Sequence, residues 1–305
     1  MSYDLVSLGE ILIDFKVDQK NNYIKNPGGA PLNVCAVLSK YNCKTAFIGK
    51  VGDDEDGKFL KETLDKLQID SSNLIFDPLH QTTQAFITTD NKGERYFSFK
   101  RENTADLFLS KEDIDLEKIK KAKIFHFGSL SLVTKQYEDT TKYALEKAKE
   151  SGCIISFDPN YREDLWKNKQ LAIKKITSCL PYIDILKVST EELQLITKTK
   201  NTINAIEALA KHKIPIILVT DGANGAMFKY KNFIGNAKTI KVNPIDTTGA
   251  GDIFLGTFLT KIIKNFKPIS QYTYEELLSF LNTACTQASL STEKYGAIPS
   301  IPDLN

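Results

Sequence analysis

Short apolar segments alternate with amphipathic ones along most of this chain, and that alternation restricts the fold more than any other feature. Residues 5–9 (Leu-Val-Ser-Leu-Gly) and 45–49 (Thr-Ala-Phe-Ile-Gly) read as strands that end at a glycine. Between them, residues 31–41 put Pro31 at a first helical turn and follow it with Val34, Ala36, Val37 and Leu38. Residues 54–67 place Phe59, Leu60, Leu64 and Leu67 on one helical face. The unit recurs as strand 124–128 with helix 135–149 and as strand 154–158 with helix 167–180, and further strands are expected at 183–188 and 216–220. Repeated strand–helix units at this spacing predict an α/β fold with a largely parallel sheet covered by helices on both faces.

Two segments break the pattern. Residues 11–25 alternate (Ile11, Ile13, Phe15, Val17) with no helix behind them, and residues 83–101 alternate around a hairpin turn at Asp90-Asn91-Lys92-Gly93. They predict a small second sheet, residues 11–30 and 83–103, forming a lid over the strand carboxyl ends. Gly28-Gly29-Ala30 would be the return into the main domain, which takes residues 1–10, 31–82 and 104–305. Forty basic against 38 acidic residues leave a net charge of +2, with no basic block, which argues against a nucleic-acid or anionic-membrane partner. Five widely spaced cysteines and three scattered histidines argue against zinc and for buried, reduced thiols in a cytoplasmic protein. No window approaches the run of about 20 apolar residues that a membrane span needs.

Ligands of such sheets bind outside the strand carboxyl ends. The polar residues expected there are Asp14, the run Asp158-Pro159-Asn160-Tyr161-Arg162, Ser189 to Glu192, the run Asp221 to Gly225, and Asp246-Thr247-Thr248-Gly249-Ala250-Gly251-Asp252. In the last run, two glycines around one alanine leave three amides nearly unshielded. At a helix start they form an anion site, because unpaired N–H groups and the positive end of the dipole point the same way. Asp252 adds a carboxylate beside that site, as a base working next to a phosphate would require; a capped tight turn is the plainer alternative. Phosphoryl transfer needs this pairing of cradle and base, together with magnesium and groups that fix the acceptor. A P-loop, a dinucleotide Gly-x-Gly-x-x-Gly and the protein-kinase motifs are all missing from the sequence.

Gly28-Gly29-Ala30-Pro31-Leu32-Asn33-Val34-Cys35-Ala36 and the run from Asp246 to Asp252 resemble, in order and separation, the two signatures of the ribokinase-like (PfkB) sugar kinases, and the likeness extends from Gly9 to Pro302. The resemblance implies a Rossmann-like core, a β-sheet lid used for homodimerisation, and transfer of the ATP γ-phosphate to a sugar hydroxyl. It implies Asp252 as catalytic base with the amides of Gly249, Ala250 and Gly251 as anion hole. Asp14, Gly28, Gly29, Asn33, Arg101 and Arg162 would hold the sugar, and Lys187, Thr220, Gly222, Gly225 and Asn282 the nucleotide. Ser189 stands where the family's Asn-x-x-Glu motif has asparagine, while Glu192 would organise magnesium through water. Asp246, Thr248, Ser291, Gly296 and Ser300 fall at the spacing of a potassium site. The lid run from Gly93 to Arg101, with Ala105-Asp106 and Trp166, is similar to fructokinases, which implies phosphorylation of D-fructose at the 6-hydroxyl. Ribose, 2-keto-3-deoxygluconate and a purine riboside are the other acceptors of such kinases, and a non-catalytic sugar or nucleotide sensor is the reading from a different class.

Overall fold

The computed structural model describes residues 2–17, 23–89 and 95–304. In chain order the elements are β1 (Tyr3–Leu8), β2 (Leu12–Val17), β3 (Tyr23–Gly28), α1 (Ala30–Lys40), β4 (Thr45–Gly52), α2 (Glu55–Lys66), β5 (Asp70–Asp77), β6 (Gln84–Thr89), β7 (Arg95–Lys100), α3 (Leu116–Lys120), β8 (Ala122–Gly128), α4 (Lys135–Glu150), β9 (Ile154–Asp158), α5 (Lys169–Cys179), β10 (Ile185–Ser189), α6 (Thr190–Thr197), α7 (Thr202–Ala208), β11 (Ile216–Thr220), β12 (Ala226–Tyr230), β13 (Phe233–Ala237), α8 (Ala250–Lys264) and α9 (Tyr274–Ser291).

The main sheet runs β13-β12-β11-β10-β9-β8-β1-β4-β5. Every pair from β11 through β5 is parallel, and at the other edge β11–β12 and β12–β13 pair antiparallel. Both faces are buried, as parallel pairing demands. Leu5 of β1 packs into one core with residues of α1, α2, α8 and α9, whereas Val6 and Leu8 pack into the other with residues of α4, α5 and α6. The expected two-faced α/β architecture is therefore present. Helix starts follow the chemistry read from the sequence. Pro31 sits in the first turn of α1, and the Asp54 side chain accepts the Gly57 amide to cap α2.

The second sheet has the order β3-β2-β6-β7. Asp14 of β2 is paired with Asn26 of β3 and Ala85 of β6. The hairpin turn expected at 90–93 lies outside the described residues. Several elements were not expected from the sequence: β5, the β12–β13 hairpin and the helices α6, α7 and α9. All five cysteines are free and buried. Among the described residues, no helix is long and apolar enough to cross a membrane.

Candidate active site

A cavity of about 850 Å³ lies beyond the carboxyl ends of β9, β10 and β11 and beneath the second sheet. Its most constrained wall is the start of α8. Gly249 caps that helix with φ of +76°, and a side chain there would also collide with Ala297, so only glycine fits. The Ala250 N–H donates back to the Thr247 carbonyl at 3.3 Å, which leaves Gly249 and Gly251 facing the cavity.

Asp252 stands in the first turn of α8, buried, and its carboxylate is held on both oxygens. Asn33 of α1 donates to Oδ2 at 2.8 Å, and Asn160, at the end of β9, donates to Oδ1 at 3.4 Å. Burial pushes its pKa up to about 6, the charge of Asp158 adds to this, and the Asn33 bond, Lys187 and Arg162 oppose it. Beside it, Lys187 enters from β10 on the α8 side of the sheet and is itself buried. Its ammonium lies 2.9 Å from Asp158, and a Cβ on Gly251 would be 3.1 Å from Nζ. Burial disfavours the Lys187 charge, but Asp158 and Glu192 outweigh it and raise the pKa. A buried ammonium thus stands beside Gly251.

The opposite wall carries the polar groups expected for a sugar. Asp14 comes down from β2 against Gly28, and burial pushes its pKa up to about 7, opposed chiefly by Arg162. Gly29 has φ of +112°, and a side chain there would strike the Glu10 carbonyl, so the turn into α1 also requires glycine. That N-cap has no side chain, and the Ala30 amide donates instead to Glu10 Oε1 at 3.3 Å. Arg162 is exposed, lines the cavity and donates to its neighbour's carbonyl at 3.1 Å.

Other expected residues are placed differently from one another. Thr220 and Gly222 line the cavity; Gly225 does not, its φ of +103° serving the β11–β12 turn. Asn282 is on α9, away from the cavity wall, and donates to the Leu278 carbonyl. Arg101 is buried outside the cavity wall, forked onto Asp106 at 2.9 and 2.7 Å. Glu192 is half-buried: its oxygens accept the Tyr161 and Ser189 amides at 2.7 and 2.8 Å, and Ser189 Oγ accepts the Glu192 amide in return. This capping box accounts for serine at position 189. Phe99 lines the cavity, while the side chain of Phe97 lies outside the described residues.

Behind the α8 start, Asp246 accepts the amides of Thr248 at 2.9 Å and Gly296 at 3.1 Å. The Ser291 and Ser300 hydroxyls close onto the Ala288 and Ala297 carbonyls, both at 2.8 Å. Lys16 of β2 also reaches Asp246, 3.2 Å away, with its ammonium 3.9 Å from the Tyr295 ring centre. Lys16, Asp158, Asn160 and Glu10 had no site role in the sequence reading. Only Asp158 and Asn160 carried a signal, their place in the strand-end run.

The profile described as "pfkB family carbohydrate kinase" matches residues 2–304. The probable fructokinase-2 of Arabidopsis thaliana is 39% identical over 98% of this chain and 92% of its own length. The fructokinase of Xylella fastidiosa with bound ATP superposes with a TM-score of 0.90 at 28% identity, over 98% of this chain and 94% of that one. A double mutant of the Vibrio cholerae O395 fructokinase, with fructose, ADP and potassium ion bound, gives 0.90 at 33% identity, over 99% and 96%.

Proposed function

This chain belongs to the pfkB family of carbohydrate kinases, and from that premise we propose that it transfers the γ-phosphate of ATP to the 6-hydroxyl of D-fructose, giving fructose 6-phosphate and ADP. The observation that carries the reading is Asp252: a buried carboxylate with a pKa of about 6, held at 2.8 Å by Asn33 and set against a glycine-lined helix start with Lys187 beside it. Asp14, Gly28, Gly29, Asn33 and Arg162 hold the sugar so that its 6-hydroxyl meets Asp252. Asp252 removes the proton as the sugar oxygen attacks the γ-phosphorus. The bond from that phosphorus to the β–γ bridging oxygen breaks, and ADP leaves with the electron pair. The amides of Gly249 and Gly251 and the Lys187 ammonium stabilise charge on the phosphoryl in flight. Thr220 and Gly222 border the nucleotide, with Gly225 and Asn282 farther out.

Among the described residues no group of three His, Cys, Asp or Glu side chains could hold a metal. Magnesium therefore fits as an ion carried by the phosphates and water, with Glu192 ordering that water, and when bound it neutralises phosphate charge. Potassium would be held by Asp246, Thr248, Ser291, Gly296 and Ser300 behind the anion loop, where the Lys16 ammonium also meets Asp246. The buried thiols suit a cytoplasmic location. ATP consumption coupled to a dye and measured with fructose, ribose, 2-keto-3-deoxygluconate and adenosine tests the acceptor. Fructose should give the highest kcat/KM; a larger value for any other acceptor replaces it. Dialysed enzyme should gain rate on adding potassium, and equal rates with and without it remove the ion from the scheme.

A further inference from the structure

Glu10, Leu12 and Asp14 follow one another at a period of two along the chain that leaves β1 and becomes β2, and all three line the cavity. Glu10 is 3% exposed. Its Oε1 accepts the Ala30 amide, whereas Oε2 is buried and has no hydrogen-bond partner. Two other residues also carry a buried, unpartnered polar atom, Asn33 on the cavity wall and Arg101 outside it. Asn33 Oδ1 is buried and unpartnered while its amide nitrogen holds Asp252. Arg101 Nη1 is buried and unpartnered, although Nε and Nη2 are taken by Asp106 and Nη2 also by the carbonyl of Leu130, a residue of the cavity wall.

Native proteins rarely bury polar atoms without partners, because each one forfeits its hydration with nothing in exchange. These three atoms are two acceptors and one donor, and a hydroxyl supplies both functions. The segment from Glu10 to Asp14 presents one orphan acceptor at its near end and the expected sugar-holding Asp14 at its far end. Resting on the sugar-kinase reading above, we propose that Glu10 is an acceptor-selecting residue whose Oε2 accepts a sugar hydroxyl other than the one phosphorylated. Arg101, outside the cavity wall, adds an Nη1 that Asp106 and Leu130 leave unpartnered. Selection works through the penalty that a sugar lacking that hydroxyl incurs by leaving a buried carboxylate oxygen unpaired.

Capping α1 through the Ala30 amide is the purely structural role Glu10 could have instead, and kinetics on deoxy sugars separates the two. The full chain is assayed with fructose and with 1-deoxy-, 3-deoxy- and 4-deoxyfructose, as wild type, Glu10→Gln and Glu10→Ala. Glu10→Ala should raise the KM for fructose about tenfold to a hundredfold and leave the KM for ATP where it was, as a charge-assisted hydrogen bond implies. One deoxyfructose should be handicapped at least tenfold with wild type and no longer handicapped relative to fructose with Glu10→Ala. Glu10→Gln, which keeps an oxygen for the Ala30 amide, should fold normally and lie between the two. Equal handling of all three deoxy sugars by wild type overturns the proposal even if Glu10→Ala fails to fold. A KM increase shared by every sugar and by ATP, with discrimination retained, also overturns it. Wild type that turns over no sugar at all would instead bring down the sugar-kinase reading.

Discussion

Asp252 is the proposed base, and its environment makes quantitative demands. Replacement by Asn keeps the shape and removes the base, so kcat should fall by about 10²–10⁴-fold in the coupled assay while sugar binding by calorimetry persists. The carboxylate must be ionised to take a proton, and its pKa is raised to about 6. Accordingly kcat/KM should be level above that value and fall as pH drops through it. Asn33→Ala removes a donor that stabilises the ionised form, so the midpoint of that profile should move to higher pH; an unmoved midpoint would mean that another group titrates. Asp252 and Asn33 were legible because each lies in a compact run whose residue types suit a phosphate or a diol. Lys16 and Glu10 were not. Each is one polar residue in an extended segment, and its significance comes from partners 230 and 20 positions away.

At the level of elements, the strands and helices with a clear period were legible to within a few residues. The helix expected at 167–180 forms as Lys169–Cys179, because the Asn168 side chain caps it by accepting the Leu171 amide. The β12–β13 hairpin was not legible: its strands have five residues each, and the turn depends on Lys231 adopting a φ of +50° without a glycine to announce it. The start of α6 was readable in principle, since Ser-x-x-Glu is a capping box. Ser189→Ala should lower thermal stability by about 1 kcal/mol and loosen Glu192, whose other oxygen holds the Tyr161 amide in the loop that carries Arg162. Gly249→Ala is harsher, because a side chain there meets Ala297 at a positive φ. The α8 start must shift, and activity should drop far more than the melting temperature.

Across the whole molecule, the second sheet turns one face to the cavity, and its other face rests partly on the main core. On that other face Phe15 packs against the core and stacks on Phe86 at 5.2 Å, with Tyr23 edge-on to both and 61% exposed. An aromatic cluster with an exposed edge fits the homodimer expected through the lid. Light scattering behind a sizing column should give twice the chain mass for wild type and the single-chain mass for Tyr23→Ser; a monomeric wild type ends that assignment. The sheet with helices on both faces was visible in the sequence from its alternation, and the second sheet from where the alternation failed. The Lys16–Asp246 contact that ties this sheet to the anion loop was not, since no local pattern records a pairing across 230 positions.

The residues around Asp252 are drawn from the whole length of the chain: Asn33, Asn160, Lys187 and Asp252 itself, the first bond bridging 219 positions. A ribosome therefore delivers the turn proposed to hold the sugar early and the proposed base late. On those proposed roles, the growing polypeptide has nothing with which to split ATP until α8 has been made and folded back onto α1. A half-built protein cannot drain the nucleotide on which its own synthesis depends. Chains released at residue 245 should consume no ATP in the presence of sugar, and activity should return only when the segment from 246 onward is supplied.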